Sequence, residues 1–355
     1  MKALVLSGGT GSRMRPFTHS MAKQLLPVAG KPVLVHCVEN IRDAGVTEIG
    51  VVVGSRAEQI ADTLGDGSRW GVDLTYIRQE APLGLAHGIA VAGDFLADDD
   101  FVLYLGDNVL AGGIEKETAR FRADRVAAHL MVSRVDDPRA YGVAEVTEEG
   151  VVRRLTEKPA HPASDLAVIG VYFFTPAIHE AVRSVVPSAR GELEITDAIQ
   201  HLVDTGQRVT AGEYDDFWKD AGNPGDLLTC NRTLLSRQTG RRLEGEIDHA
   251  STVQGAVVVE PGARVLGSRL VGPLVVGANS TIRDSTLGPY TAVGSHCVVD
   301  GSRISEAILL EGAAVRDVPM LRHSVVGPRA SFGGDGDARR PGRVLDNHAD
   351  AEVGA

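Results

Sequence analysis

The residues best suited to chemistry stand near the start of the chain. An apolar run, Ala3 to Leu6, leads into Ser7-Gly8-Gly9-Thr10-Gly11-Ser12-Arg13. Three glycines in such a turn let the backbone approach an anion and aim amide groups at phosphate oxygens, and Arg13 adds a fixed positive charge. Met14 stands where a dinucleotide fingerprint needs its third glycine, and the Gly-Lys-Ser/Thr ending of a Walker loop is missing. A glycine-rich turn alone also serves a plain strand-to-helix connection. This one is made informative by Lys23-Gln24-Leu25-Leu26-Pro27 shortly afterwards, because Lys23 can fold back so that two cations share one anion.

A second group follows the apolar run Phe101 to Leu105, which ends in Gly106-Asp107-Asn108. That places a carboxylate at the carboxyl end of a strand, where open α/β sheets bind ligands, so Asp107 is a candidate metal ligand. A capping or turn carboxylate would read the same way. No Ser-His-Asp or Cys-His arrangement stands out. Cys37, Cys230 and Cys297 lie far apart without a CxxC pair, which suits buried apolar side chains and not a disulfide framework or zinc cluster.

Taken together, Gly8 to Arg13 and Lys23 to Pro27 resemble the signature of the sugar-phosphate nucleotidyltransferases, and the resemblance runs through most of the first 240 residues and into the C-terminal repeats. Ser12 stands where threonine is commoner, and Ala221 where threonine is usual. Members join a nucleoside triphosphate to a sugar 1-phosphate and release pyrophosphate. The resemblance implies dTTP and glucose 1-phosphate as substrates, Mg²⁺ as cofactor and a homo-oligomeric assembly. It implies catalytic roles for Arg13, Lys23 and Lys158, and contacts to the nucleotide from Leu6, Gly8, Gly9, Thr10, Gly11, Gln24 and Asp107. The segment Gln79 to His87 resembles the base-binding stretch, with Gln79 and Gly84 in the binding roles; His87 replaces a glutamine often seen there and receives no role. Asp107 would hold Mg²⁺ with Asp220, from Trp218-Lys219-Asp220-Ala221-Gly222. Two hard oxygen donors suit an ion that keeps several waters. On the sugar side, Tyr141, Gly142, Glu157, Val168 and Tyr172 resemble the covering segments, with Lys158 on the phosphate and Arg190 helping to orient it. Glu194 and Asp197 read as structural.

A sugar phosphate near neutrality is largely a dianion, since the second pKa of a phosphate monoester is about 6. The nucleophile thus arrives ionised and needs no general base. The barrier is repulsion between anions: like unit charges about 4 Å apart repel by roughly 4 kcal/mol at an effective dielectric of 20, so well-placed cations decide the rate. An amide such as that of Gln79 offers both donor and acceptor, which leaves thymine and uracil equally open. Three other readings stand beside this one. The first is the same chemistry with another base or sugar. The second is a bifunctional enzyme whose repeats also transfer an acyl group, for which His296 and His323 are the only later-rung histidines, and the third is a catalytically silent regulatory subunit.

A formal net charge of −11 argues against a nucleic-acid surface, which needs clustered Lys and Arg. It also makes the few lysines informative, because an acidic chain binds polyanions only where a cleft concentrates positive groups. No apolar run is long enough to cross a bilayer, and Ala3 to Leu6 lacks the flanks of a signal peptide, so a cytoplasmic location is expected.

These residues must be held by α/β architecture. Short apolar runs alternate with amphipathic stretches up to about Gly240, and Ala3 to Leu6, Ile49 to Val53, Leu74 to Ile77, Phe101 to Leu105 and His129 to Val132 read as strands of a Rossmann-like, mixed but mostly parallel sheet. Pro32 and Gly45 bracket a helix carrying Val35, Val38 and Ile41 on one face. Tyr141 to Phe174 reads as hairpins inserted over the sheet, turning at Glu148-Glu149-Gly150. From Ile247 aliphatic residues recur every six, as in Ile247, Val253, Val259 and Val265, the mark of hexapeptide rungs in a short left-handed parallel β-helix. The repeat loses register near Leu287 and Ile308, which predicts an irregular end after Leu321. The expected organisation is a nucleotidyltransferase domain at 1–240, a hexapeptide-repeat domain at 241–330 and a flexible tail at 331–355.

Overall fold

The computed structural model describes residues 1–9, 11–333 and the backbone of Val344–Asp346. The chain forms two compact units: the N-terminal strand with Leu34–Asp220, and Gly11–Val33 with the chain from Ala221 onward.

The first unit is built on a mixed sheet. Strands β1 (Lys2–Ser7), β2 (Glu48–Val53), β3 (Asp73–Arg78) and β4 (Phe101–Leu105) are mutually parallel, with β1 between β2 and β4. All five expected strands are present, counting β6 (Ala128–Arg134) after the short β5 (Asn108–Leu110). Ala3, Leu4, Val5, Ile49, Val51 and Phe101 to Tyr104 are inaccessible, as strands covered on both faces require. Helix α1 (Val33–Asp43) ends at Gly45 in the left-handed conformation (φ 75°), where the bonds Gly45 N to Arg42 O and Val46 N to Ile41 O satisfy the last carbonyls.

The stretch expected to lie over the sheet joins it instead. Strands β7 (Gly142–Val146) and β8 (Val152–Glu157) form the predicted hairpin, but as one edge of the sheet. The nine-residue β9 (Leu166–Phe174) runs antiparallel to β4 and lies buried beside it, because its unbroken apolar sequence needs cover on both faces. Its pairing with β6 shifts register between Val168 and Tyr172, and β10 (Val209–Glu213) pairs with the far side of β6.

One polar network lies inside this unit. His129, fully buried on β6, is 2.9 Å from Glu117 on α2 (Glu115–Asp124) and 2.8 Å from the Thr210 hydroxyl on β10. Burial alone would push the Glu117 carboxyl up, but the bond and charge from His129 outweigh it and hold the group below its ordinary value.

In the second unit three parallel sheets stack into a left-handed parallel β-helix, with Val259, Val276, Val293, Leu309 and Val326 in successive coils above one another. The core is almost wholly aliphatic. Corners turn through left-handed residues such as Asn279, Asp284, His296 and His323. Regular pairing continues past Leu321, through Ser324–Val326 and Ser331–Gly333, because backbone ladders tolerate the uneven rung length that breaks the sequence repeat. Residues 334–343 and 347–355 of the expected tail lie outside the described residues. His323 is 2.8 Å from Glu306, which Arg322 and Arg232 also reach.

Helix α3 (Pro224–Ser236) ties this unit together. Its buried Asn231 accepts from Ala29 N at 2.9 Å and donates to Tyr290 O at 2.9 Å, joining the Gly11–Val33 segment to the coil. Phe17, Leu25 and Leu26 of that segment are buried. Among the described residues no helix is long and apolar enough to cross a membrane.

Replacing His129 by leucine should strand the Glu117 carboxylate inside the sheet unit and destabilise the fold by about 3 kcal/mol in urea unfolding, against about 1 kcal/mol for Thr210→Val. Equal losses in the two variants would mean that the buried carboxylate is not the dominant cost.

Candidate active site

Several expected site residues of the first unit come together at the carboxyl ends of its parallel strands, where the chain leaves β1 at Gly8 and β4 at Gly106. Leu6 opposite Leu105, and the bond from Gly106 N to Leu6 O at 2.9 Å, set the glycine loop beside the Asp107 turn.

Asp107 is held by its neighbour. Asn108 donates to Asp107 Oδ1 at 2.8 Å and accepts from Trp218 Nε1 at 2.6 Å. The short β11 (Trp218–Asp220) pairs antiparallel with β5, with Asp220 opposite Asn108. Asp220 thereby lies across the ladder from the residue that follows Asp107, although the two stretches are more than a hundred residues apart in sequence. Asn108 is buried, and it packs on Gly170, where any side chain would collide with its carboxamide. The register shift in β9 spans this glycine, so the irregularity and the close approach coincide.

At the expected base-binding segment, Gln79 Oε1 lies close over Gly8: a Cβ there would sit 2.9 Å from it. Gln79 Nε2 is 2.8 Å from His87 Nδ1 and 3.4 Å from Gly84 O. Gly84 (φ 108°) abuts the backbone of Leu193, which also bonds Leu83 and Ala86. The segment is thus clipped to the stretch carrying Arg190 and Glu194.

On the sugar side, Lys158 N bonds Tyr141 O at 3.0 Å, and the Tyr141 ring meets Trp218 edge-on at 5.4 Å, which links this group to the carboxylate pair. Lys158 takes a left-handed backbone (φ 41°), uncommon for a non-glycine residue. Its ammonium is 3.4 Å from Glu157. Glu157 also accepts from Arg190 at 3.0 Å and from Thr196 at 3.2 Å, and Arg190 forks onto both oxygens of buried Glu194 at 2.8 Å. Burial raises the Asp197 carboxyl, and the nearby Glu194 and Glu157 charges raise it further. Gly142 and Val168 lie against the same group, and Tyr172 is buried beneath it, stacked on Phe174. Burial pushes the Tyr172 phenol well above its ordinary value, and the Glu157 charge adds to this. A cavity of about 800 Å³ opens beside Glu157, Lys158 and Arg190, walled by β8 and the helix Ile195–Asp204; Asp107, Asp220 and Gln79 do not line it, so it flanks the expected sugar segment and does not span the expected site.

The remaining expected residues belong to the second unit. Gly11 is left-handed (φ 64°), its carbonyl accepts from Thr18 Oγ1 at 2.8 Å, and a side chain there would press on Lys23. The loop glycine and the lysine are therefore adjacent within that unit. Lys23 and Gln24 are buried, Gln24 Oε1 has no hydrogen-bond partner among the described residues, and Arg13 is exposed. Thr10 lies outside the described residues. Sequence reasoning missed Asn108 and His87; the only signal for either was its position beside an expected ligand.

The nucleotidyl transferase family model matches residues 2–237, and the chain belongs to that family. It is 48% identical over 354 residues to a glucose-1-phosphate thymidylyltransferase of Streptomyces griseus, covering 99% of both chains, and equally identical to one from Streptomyces antibioticus. A nucleotidyltransferase of low-salt glycan biosynthesis from Haloferax volcanii is 40% identical over 97% of each chain. A Bacillus anthracis structure described as a glucose-1-phosphate thymidylyltransferase superposes with a TM-score of 0.63 at 33% identity, over 68% of this chain and 97% of its own.

Asn108→Leu should loosen Asp107 and weaken divalent-cation binding by about 10- to 100-fold, as loss of a ligand's outer partner does. Mn²⁺ titration followed by electron paramagnetic resonance measures this directly, and unchanged affinity would remove Asn108 from that role.

Proposed function

We propose that the chain transfers a thymidylyl group from dTTP to glucose 1-phosphate, giving dTDP-glucose and pyrophosphate. The carrying observation is that Gln79, Asp107 and the Glu157-Lys158 pair all stand at the carboxyl ends of strands of one sheet. A phosphate oxygen of glucose 1-phosphate attacks the α-phosphorus of dTTP in line. The bond to the β-phosphate bridging oxygen breaks, and pyrophosphate departs with the electron pair. No side chain needs to remove a proton, because the nucleophile is already anionic.

Carboxylates suit Mg²⁺, a hard cation that takes one or two protein carboxylates with substrate phosphates and water. Asp107 and Asp220 would hold it, and it would offset the charge that builds on the phosphates. Arg13 and Lys23 serve the triphosphate and Lys158 the sugar phosphate. Glu157 receives sugar hydroxyls, kept in position by Arg190 and Thr196. Gln79 reads the base. Catalysis on this reading is positioning and charge neutralisation.

Lys23→Ala and Asp107→Ala should each lower turnover at least about a hundredfold with the fold intact. Near-normal turnover in either purified variant removes that residue from the mechanism, and full activity in excess chelator removes the metal role of Asp107 and Asp220. Side-by-side assays of dTTP, UTP, ATP and GTP with glucose 1-phosphate test the base; clear preference for GTP overturns the proposal.

A further inference from the structure

The bonds around Gln79 decide which end of its amide faces outward. Gly84 O carries only lone pairs, so the amide end 3.4 Å from it must be the nitrogen. His87 Nδ1 is 2.8 Å from that same nitrogen, so the ring accepts there and carries its proton on Nε2. Two acceptors thus claim the NH₂ group, and the carbonyl is turned the other way. Gly8 leaves room for it, since a Cβ at that position would stand 2.9 Å from Oε1. Both partners are on firm ground: His87 sits in the helix Leu85–Val91, whose neighbours Ala86 and Ile89 are buried, and Gly84 is clamped against Leu193.

We infer that His87 is a positioning residue which fixes the Gln79 carboxamide with its carbonyl outward, and that this polarity makes the site select pyrimidines bearing an N3–H over cytosine. The inference rests on the reading that Gln79 meets the base. Thymine and uracil present N3–H, a donor that an outward carbonyl accepts. Cytosine presents a bare N3 lone pair, which the same carbonyl repels. An amide free to rotate would serve either edge. Restraint by Gly84 alone is a long contact at 3.4 Å, so removal of the imidazole frees the rotation.

The test compares dTTP and dCTP with glucose 1-phosphate in the full-length enzyme. His87→Leu and His87→Ala should each lower the dTTP to dCTP ratio of kcat/KM by about tenfold, the size expected of one misoriented hydrogen bond. The loss should appear as a raised KM for dTTP, with kcat within about twofold and the KM for glucose 1-phosphate unchanged. His87→Gln, whose carbonyl can accept from the Gln79 amide, should restore most of the ratio. An unchanged ratio in His87→Leu and His87→Ala, a fall in kcat that accounts for the whole loss, or no rescue by His87→Gln overturns the positioning role. Gln79→Ala separates this from the underlying reading. If it erases the preference while the His87 variants do not, only the role of His87 falls. If it leaves the dTTP KM and the ratio untouched, the base-reading role of Gln79 fails and the inference with it.

Discussion

Two short strands, Asn108–Leu110 and Trp218–Asp220, pair antiparallel, and the expected site is assembled around that ladder. The partners Asn108 and Trp218 are 110 residues apart in sequence, so the contact closes a long loop and must be supported by more than its own backbone bonds. The Trp218 indole holds Asn108, and Asn108 holds Asp107. This chain of bonds fixes the Asp107 carboxylate and sets Asp220 opposite its neighbour Asn108. Trp218 also packs on Tyr141, so the same ladder couples the acidic pair to the sugar-phosphate group.

The signature stretch is divided between two units. Gly8 and Gly9 end the first strand of the sheet, whereas Gly11, Arg13 and Lys23 belong with the helix Pro224–Ser236 and the coil. The Gly11–Val33 segment has no core of its own. It buries Met14, Phe17, Leu25 and Leu26, each contributing about 1.5–3 kcal/mol of transfer free energy, and it is stapled by Asn231. The coil therefore supplies part of the scaffold for the lysine-bearing segment. In the same coil His323 pairs with Glu306 and turns a corner, an arrangement that explains its presence without acyl-transfer chemistry.

Much of the architecture was legible because burial on both faces leaves an unmistakable trace. Continuous runs such as Phe101 to Leu105 and the six-residue recurrence of the coil depend only on which side chains avoid water. The same trace misled where it was read by length: Tyr141 to Phe174 looked like an inserted layer, yet the apolar Leu166–Phe174 runs through the sheet interior next to Phe101–Leu105. The irregular end expected after Leu321 was a pattern fault, not a structural one, since parallel ladders absorb a missing residue at a corner.

Residue order alone specifies the chemical types: glycines where a backbone must approach an anion, a lysine near them, an acid at a strand end, and no nucleophile with a base. Those are local properties of residue type and spacing. Folding assigns the partnerships, since Asn108 and His87 carry no pattern that distinguishes a positioning residue from an idle one. Their roles come from where Trp218 and Gln79 are delivered in space. A hydrogen bond is set by distance and direction between groups remote in sequence, and neither quantity is written in the order of the residues.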